Sequence, residues 1–292
     1  MTLLVTDALY LKHQAPRHPE CPERVTAMIE RLHETGLWDR VRHLPARDAT
    51  EDELRLVHTA DHVKRIRSAK PGRLDEDTYV NDCSAAAAIR AVGGVVAACE
   101  AVADGGESTA FCLVRPPGHH ATPDRAMGFC LFNNVAIAAR KLKRRVFVID
   151  WDVHHGNGTQ DIFWSDPTVF YLSTHRWPFW PGTGAAGERG AGNIRNLPLP
   201  KETTRQAFVA AFEEAVRSTA RSFKPEFVIL SCGFDAYVDD PIGGLNLLPE
   251  DFATMTRIVR SLGVPVVSAL EGGYALDALG RCAEEHLSVL LE

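Results

Sequence analysis

The sequence predicts an α/β protein built on a mainly parallel sheet. Two observations carry this expectation. Short apolar runs rich in β-branched residues alternate with longer amphipathic segments, and glycine-rich polar stretches follow directly behind several of the apolar runs.

The apolar runs fall at 109–114, 145–149, 169–172, 227–230 and 264–269. Each is continuously hydrophobic, as expected of a strand covered on both faces. Helical patterns occupy 83–103, 134–143, 204–223 and 249–262, the last opening on Pro249 and Glu250, a favoured helix start. Open α/β sheets bind ligands beyond the carboxyl ends of their strands. The loops at 116–118, 156–158, 181–192, 243–244 and 272–273 are therefore where chemistry is expected.

The 292 residues are 45% hydrophobic and include 13 Phe and 5 Trp, enough apolar mass for a large core, and no linker or repeat divides 1–292 into more than one domain. A net charge of -6 argues against direct nucleic-acid binding, which favours a basic surface. Seven cysteines form no C-x-x-C pair, so reduced thiols and a cytoplasmic location are expected. The first ten residues lack a secretion-signal pattern, and no run approaching ~18 apolar residues is apparent, so no membrane association is expected.

Behind the run at 145–149 comes DWDVHHGN at 150–157. Residues two apart in extended chain point the same way, which puts Asp150, Asp152 and His154 on one face. Two carboxylates and an imidazole are costly to bury together without a cation. The run at 227–230 leads to Asp235, and Asp152, His154 and Asp235 make a three-ligand set with room for water and substrate, as in a catalytic zinc site. His119 and His120, behind a Pro-Pro-Gly turn, offer a general base and a general acid. Tyr274, behind Gly272 and Gly273, offers a phenol donor to an oxyanion.

Several strings together resemble the zinc-dependent histone deacetylase family, which includes acetylpolyamine amidohydrolases and acetoin-utilisation proteins. They are HPE at 18–20, PER at 22–24, DEDTYV at 75–80, RPPGHH at 115–120, GFCLFNN at 128–134, DWDVHHGNGTQ at 150–160, the stretch 231–244, and EGGY at 271–274. The resemblance spans roughly His18 to Tyr274 and implies the arginase–deacetylase fold, a three-layer α/β/α sandwich with a mainly parallel eight-stranded sheet.

It further implies a zinc-dependent hydrolase that removes acetyl or other acyl groups from lysine side chains or related alkylamines. Asp152, His154 and Asp235 would hold the zinc, His119 would be oriented by Asp150, and His120 by Asn157. Gly128, Phe129 and Trp180 would line a tunnel for the lysine stem, with Trp180 where Phe is more usual. Asp150, Asp152, His154, Ser173 and Thr174 would hold a monovalent cation, potassium or sodium. Backbone carbonyls of Phe163, Asp166, Val169 and Asn193 would hold a second, with Asn193 standing where Tyr is more usual.

Three alternatives are weighed against this reading. A binuclear ureohydrolase needs a further Asp where Gly156 stands. An acetylpolyamine amidohydrolase selective for a second ammonium carries an acidic residue where Ile242 stands. A silent reader of acyl-lysine has no use for His119, His120 and Tyr274.

Overall fold

The structure, a computed structural model, describes residues 2–292. Its strands are β1 (Thr2–Val5), β2 (Arg42–His43), β3 (Gly72–Arg73), β4 (Tyr79–Val80), β5 (Thr109–Cys112), β6 (Val146–Asp150), β7 (Val169–Arg176), β8 (Ile194–Leu199), β9 (Phe227–Cys232) and β10 (Val266–Leu270). β3 and β4 form a small antiparallel ribbon. The other eight form one sheet in the order β2-β1-β5-β10-β9-β6-β7-β8, with every neighbouring pair parallel.

The helices are α1 (Glu23–Glu34), α2 (Glu51–Leu54), α3 (Ala60–Arg67), α4 (Ser84–Ala103), α5 (Asn134–Leu142), α6 (Asn157–Phe163), α7 (Arg205–Phe223), α8 (Pro249–Arg260) and α9 (Leu276–Leu290). The strand period of two sorts the sheet residues between two cores. Val146 and Val148 pack with Val92 and Val96 of α4 and Val135 and Ile137 of α5. Phe147 and Ile149 pack on the opposite face with Phe212 of α7, Met255 of α8 and Leu287 of α9. Burying each such side chain contributes about 1.5–3 kcal/mol, and covering both faces is what makes the three layers.

All five expected strands form, within two residues at their starts. β1, β2 and β8 carry no such signature: β1 and β2 are only four and two residues long, and β8 is an edge strand interrupted by Arg195, Asn196 and Pro198. Contrary to the expectation of no sufficiently apolar run, α4 is long and apolar enough to cross a bilayer, with mean hydropathy 1.6 over its best window. That window is 61% buried inside the protein, where its Val and Ala face the first core, so α4 reads as a core helix.

Candidate active site

The sheet brings the chemistry together at the carboxyl ends of its strands. Asp150, the last residue of β6, lies in register between Ser231 of β9 and Ser173 of β7. Beyond β6 the chain bends through Asp152 and His154, and beyond β9 through Asp235. His154 Nδ1 lies 3.1 Å from Asp152 Oδ1 and 3.2 Å from Asp235 Oδ2, and all three side chains are buried. These spans approach the ~3.4 Å edge of a tetrahedron built on ~2.1 Å zinc–ligand bonds. Two anionic oxygens and an imidazole nitrogen around one point fit a divalent cation with a fourth position left open.

Backbone donors fix the carboxylates in place. The Val153 N–H donates to Asp235 Oδ1, and the Gly272 N–H to Asp152 Oδ2, both at 2.8 Å. A Cβ at Gly272 would run into both carboxylates, so this close approach requires glycine. Burial disfavours charge on His154, but hydrogen bonds to Asp152 and Asp235 outweigh it and hold the imidazole up at about 9. For Asp235, burial and the neighbouring Asp152 push the carboxyl up to about 7. A cluster that must share protons in this way is one a dication would satisfy.

The histidine pair enters from the loop after β5. Buried Glu271 clamps that loop, its Oε2 accepting the N–H of Gly118 at 2.6 Å and of His119 at 3.1 Å. His119 Nδ1 donates to Asp150 Oδ2 at 3.0 Å, and the Tyr171 hydroxyl donates to the same oxygen at 2.9 Å. His120 Nδ1 donates to Asn157 Oδ1 at 2.9 Å, which leaves its Nε2 as an acceptor. The two rings lie 3.9 Å apart. Burial opposes charge on both. At His119 the charges of Asp152, Asp150 and Glu271 override it and raise the imidazole to about 10. At His120 burial is reinforced by His119 and His154, which keeps the ring well below the usual histidine range. Of the pair, His120 is the neutral one.

Gly128, Phe129, Trp180 and Ile242 line one cavity of about 160 Å³ with His120, His154 and Tyr274. Gly128 has φ +55°, and a Cβ there would stand 2.5 Å from both the His120 ring and the Trp180 indole. Phe129 meets Tyr274 edge-on at 5.9 Å, and Trp180 meets His120 edge-on at 4.6 Å. Trp180 is 41% exposed, which puts it at the mouth. Phe179, absent from the sequence reading, stacks on His154 at 5.2 Å as a further wall. Glu271, Tyr171 and Arg24 were also missed as site residues. Arg24 donates to the carbonyls of Gly273 and Glu271 and lies 4.8 Å from the centre of the Tyr274 ring. The only sequence signal for Arg24 and Glu271 was membership in the strings at 22–24 and 271–274.

Of the residues expected around a first monovalent cation, Asp150 and Ser173 are register neighbours, and the Thr174 hydroxyl donates to the Asp150 carbonyl at 3.4 Å. Asp152 and His154 follow directly in the same loop. At the second expected site the side chain of Asn193, not its carbonyl, meets the other three residues. The carbonyls of Phe163, Asp166 and Val169 do converge, but on the Asn193 side chain: its Nδ2 donates to them at 2.8, 2.9 and 2.9 Å. The Asn193 carbonyl, expected as a fourth ligand, instead accepts the Tyr171 N–H at 2.9 Å.

Comparison with known proteins returns a family profile described as "Histone deacetylase domain", matched over residues 18–290. The chain is similar to "Histone deacetylase 5" of Arabidopsis thaliana, 38% identical over 99% of this chain and 49% of that protein. It is similar to the "Probable deacetylase" of Archaeoglobus fulgidus, 36% identical over 95% of this chain and 82% of that one. A crystal structure of the HDA15 HD domain superposes with a TM-score of 0.96 at 38% identity, covering 99% of this chain and 88% of that one. This chain spans about half the length of the plant relatives it matches.

Proposed function

Because the chain belongs to the histone deacetylase family and has its arginase–deacetylase fold, we propose that it hydrolyses the acyl amide of an acylated lysine side chain or a related alkylamine, with one zinc ion at Asp152, His154 and Asp235. The observation that carries this reading is the convergence of three things on one narrow cavity: a three-ligand cluster, a buried imidazole and a phenol.

Bound zinc supplies Lewis-acid polarisation of a carbonyl and acidification of water. The chain supplies the rest. Phe129, Trp180, Phe179 and Gly128 exclude water along an apolar passage that suits an alkyl stem. His120 Nε2, neutral and unprotonated, takes the proton of the attacking water, because Asn157 holds the ring's one N–H at Nδ1. Tyr274 donates its phenol hydrogen to the developing oxyanion. His119, whose imidazolium is favoured by the carboxylates of Asp150 and Glu271, keeps positive charge beside that oxyanion. A histidine of the pair then protonates the leaving amine. Potassium or sodium beside Asp150, Ser173 and Thr174 belongs to the same proposal.

Ile242 on the cavity wall is apolar, which supports a single-ammonium or acyl-lysine substrate over an acetylpolyamine. The test is turnover on a panel of acetyl-lysine peptides, longer acyl-lysines and acetylpolyamines, with and without a zinc chelator. Acetate release from acetyl-lysine that the chelator abolishes is expected. Bound substrate with no acetate released by the zinc-loaded protein would make this a reader instead, and preference for acetylpolyamines would overturn the argument from Ile242.

A further inference from the structure

We propose that Asn193 is a built-in substitute for a monovalent cation: its side-chain amide occupies the carbonyl cradle at the end of α6, so no ion binds there. Three carbonyl oxygens, those of Phe163, Asp166 and Val169, point at a single atom. Carbonyl dipoles aimed at one point repel one another unless something positive or proton-bearing stands between them. Here that is Asn193 Nδ2, 2.8–2.9 Å from all three. The amide orientation is fixed by its other end, since Oδ1 accepts the Ala191 N–H at 3.0 Å. Turning the amide over would set Oδ1 against three acceptors and Nδ2 against a donor.

The three carbonyls belong to the last residue of α6, the turn behind it and the first residue of β7. An ion at this point would tie helix, turn and strand together reversibly. Asn193, one residue before β8, ties them by hydrogen bonds from the neighbouring strand's own chain instead, and 3% exposure keeps solvent ions away. The same helix begins with Asn157, the partner of His120, so the cradle anchors the far end of an element that positions the site. An amide brings two protons to three acceptors, whereas a cation would serve all three. The substitution therefore exchanges full satisfaction for independence from ion concentration. None of this depends on the hydrolase reading.

The test uses Asn193→Ala in the full chain, with crystals soaked in rubidium chloride and unfolding midpoints read in potassium chloride against choline chloride at equal ionic strength. Wild-type crystals are expected to show no anomalous rubidium peak among the three carbonyls, and the variant to show one. The variant's midpoint is expected to be lower than wild type in choline and to gain more from potassium than the wild type does. A rubidium peak in the wild-type cradle overturns the proposal, and this readout stands even if the variant does not fold. A folded variant whose cradle stays empty and whose midpoint gains no more from potassium than wild type also overturns it.

Discussion

Asp240 holds Tyr274 by its backbone: Oδ2 accepts the Tyr274 N–H at 2.7 Å and the Ala275 N–H at 3.2 Å. Its Oδ1 accepts the N–H groups of Ile242 and Gly243, both at 2.9 Å. One buried carboxylate thus ties the phenol-bearing turn to the loop behind Asp235. In Asp240→Asn the amide can offer an acceptor to only one of the two pairs, and its NH₂ then faces two N–H donors. Displacing a catalytic group by even about 1 Å can cost on the order of 10²-fold. We expect kcat to fall by roughly 10- to 10²-fold with KM and zinc content little changed. An unaltered kcat would mean that Tyr274 is positioned by other contacts.

Tyr274→Phe removes the phenol while keeping the ring that meets Phe129 edge-on and lies near Arg24. Loss of a single oxyanion donor typically costs on the order of 10²–10³ in turnover. That loss is expected here, with metal content measured by elemental analysis equal to wild type. Full activity in the variant would remove the phenol from the mechanism.

Much of the centre was legible because its spacing is local. Asp150 ends one apolar run with Asp152 and His154 just behind it, and Asp235 follows another, so strand-end logic brings the four to one end of the sheet, although the chain bends at 152–154 instead of staying extended. The supporting contacts were not legible, because a side chain bonded to a distant backbone N–H leaves no period in sequence. Asp240 reaches Tyr274 across 34 residues and Glu271 reaches Gly118 across 153. Phe179 was hidden for a related reason: the loop that carries it is shaped by Glu188 accepting the N–H groups of Gly184 and Ala185, and by His155 paired with Thr183. The resemblance implies a backbone ligand at Asn193, and nothing in the spacing shows that its side chain turns into the cradle instead.

Asn157→Asp tests the assignment of His120. Burial and the two neighbouring histidines keep His120 well below the usual histidine range, so the acid limb of kcat/KM is expected below that range. A carboxylate bonded to Nδ1 favours the imidazolium and raises the folded-state pKa. The protonated, inactive form then persists to higher pH, and the acid limb moves upward. A limb that stays in place, in a variant that still binds zinc, would mean that His120 is not the group whose deprotonation starts the reaction.

Trp180 sets the width of the mouth, because its indole stands edge-on to the His120 ring and against the face of Gly128. Replacing it with Phe keeps an aromatic wall but removes the outer ring, opening space beside the reacting carbonyl. One methylene in an apolar pocket is worth about 1–3 kcal/mol of discrimination, or roughly 10- to 200-fold. Trp180→Phe is therefore expected to raise kcat/KM for a propionyl- or butyryl-lysine peptide relative to the acetyl peptide by about 10-fold, while acetyl turnover changes little. Competition assays on paired peptides read the ratio directly, and an unchanged ratio would place acyl-length selection elsewhere on the cavity wall.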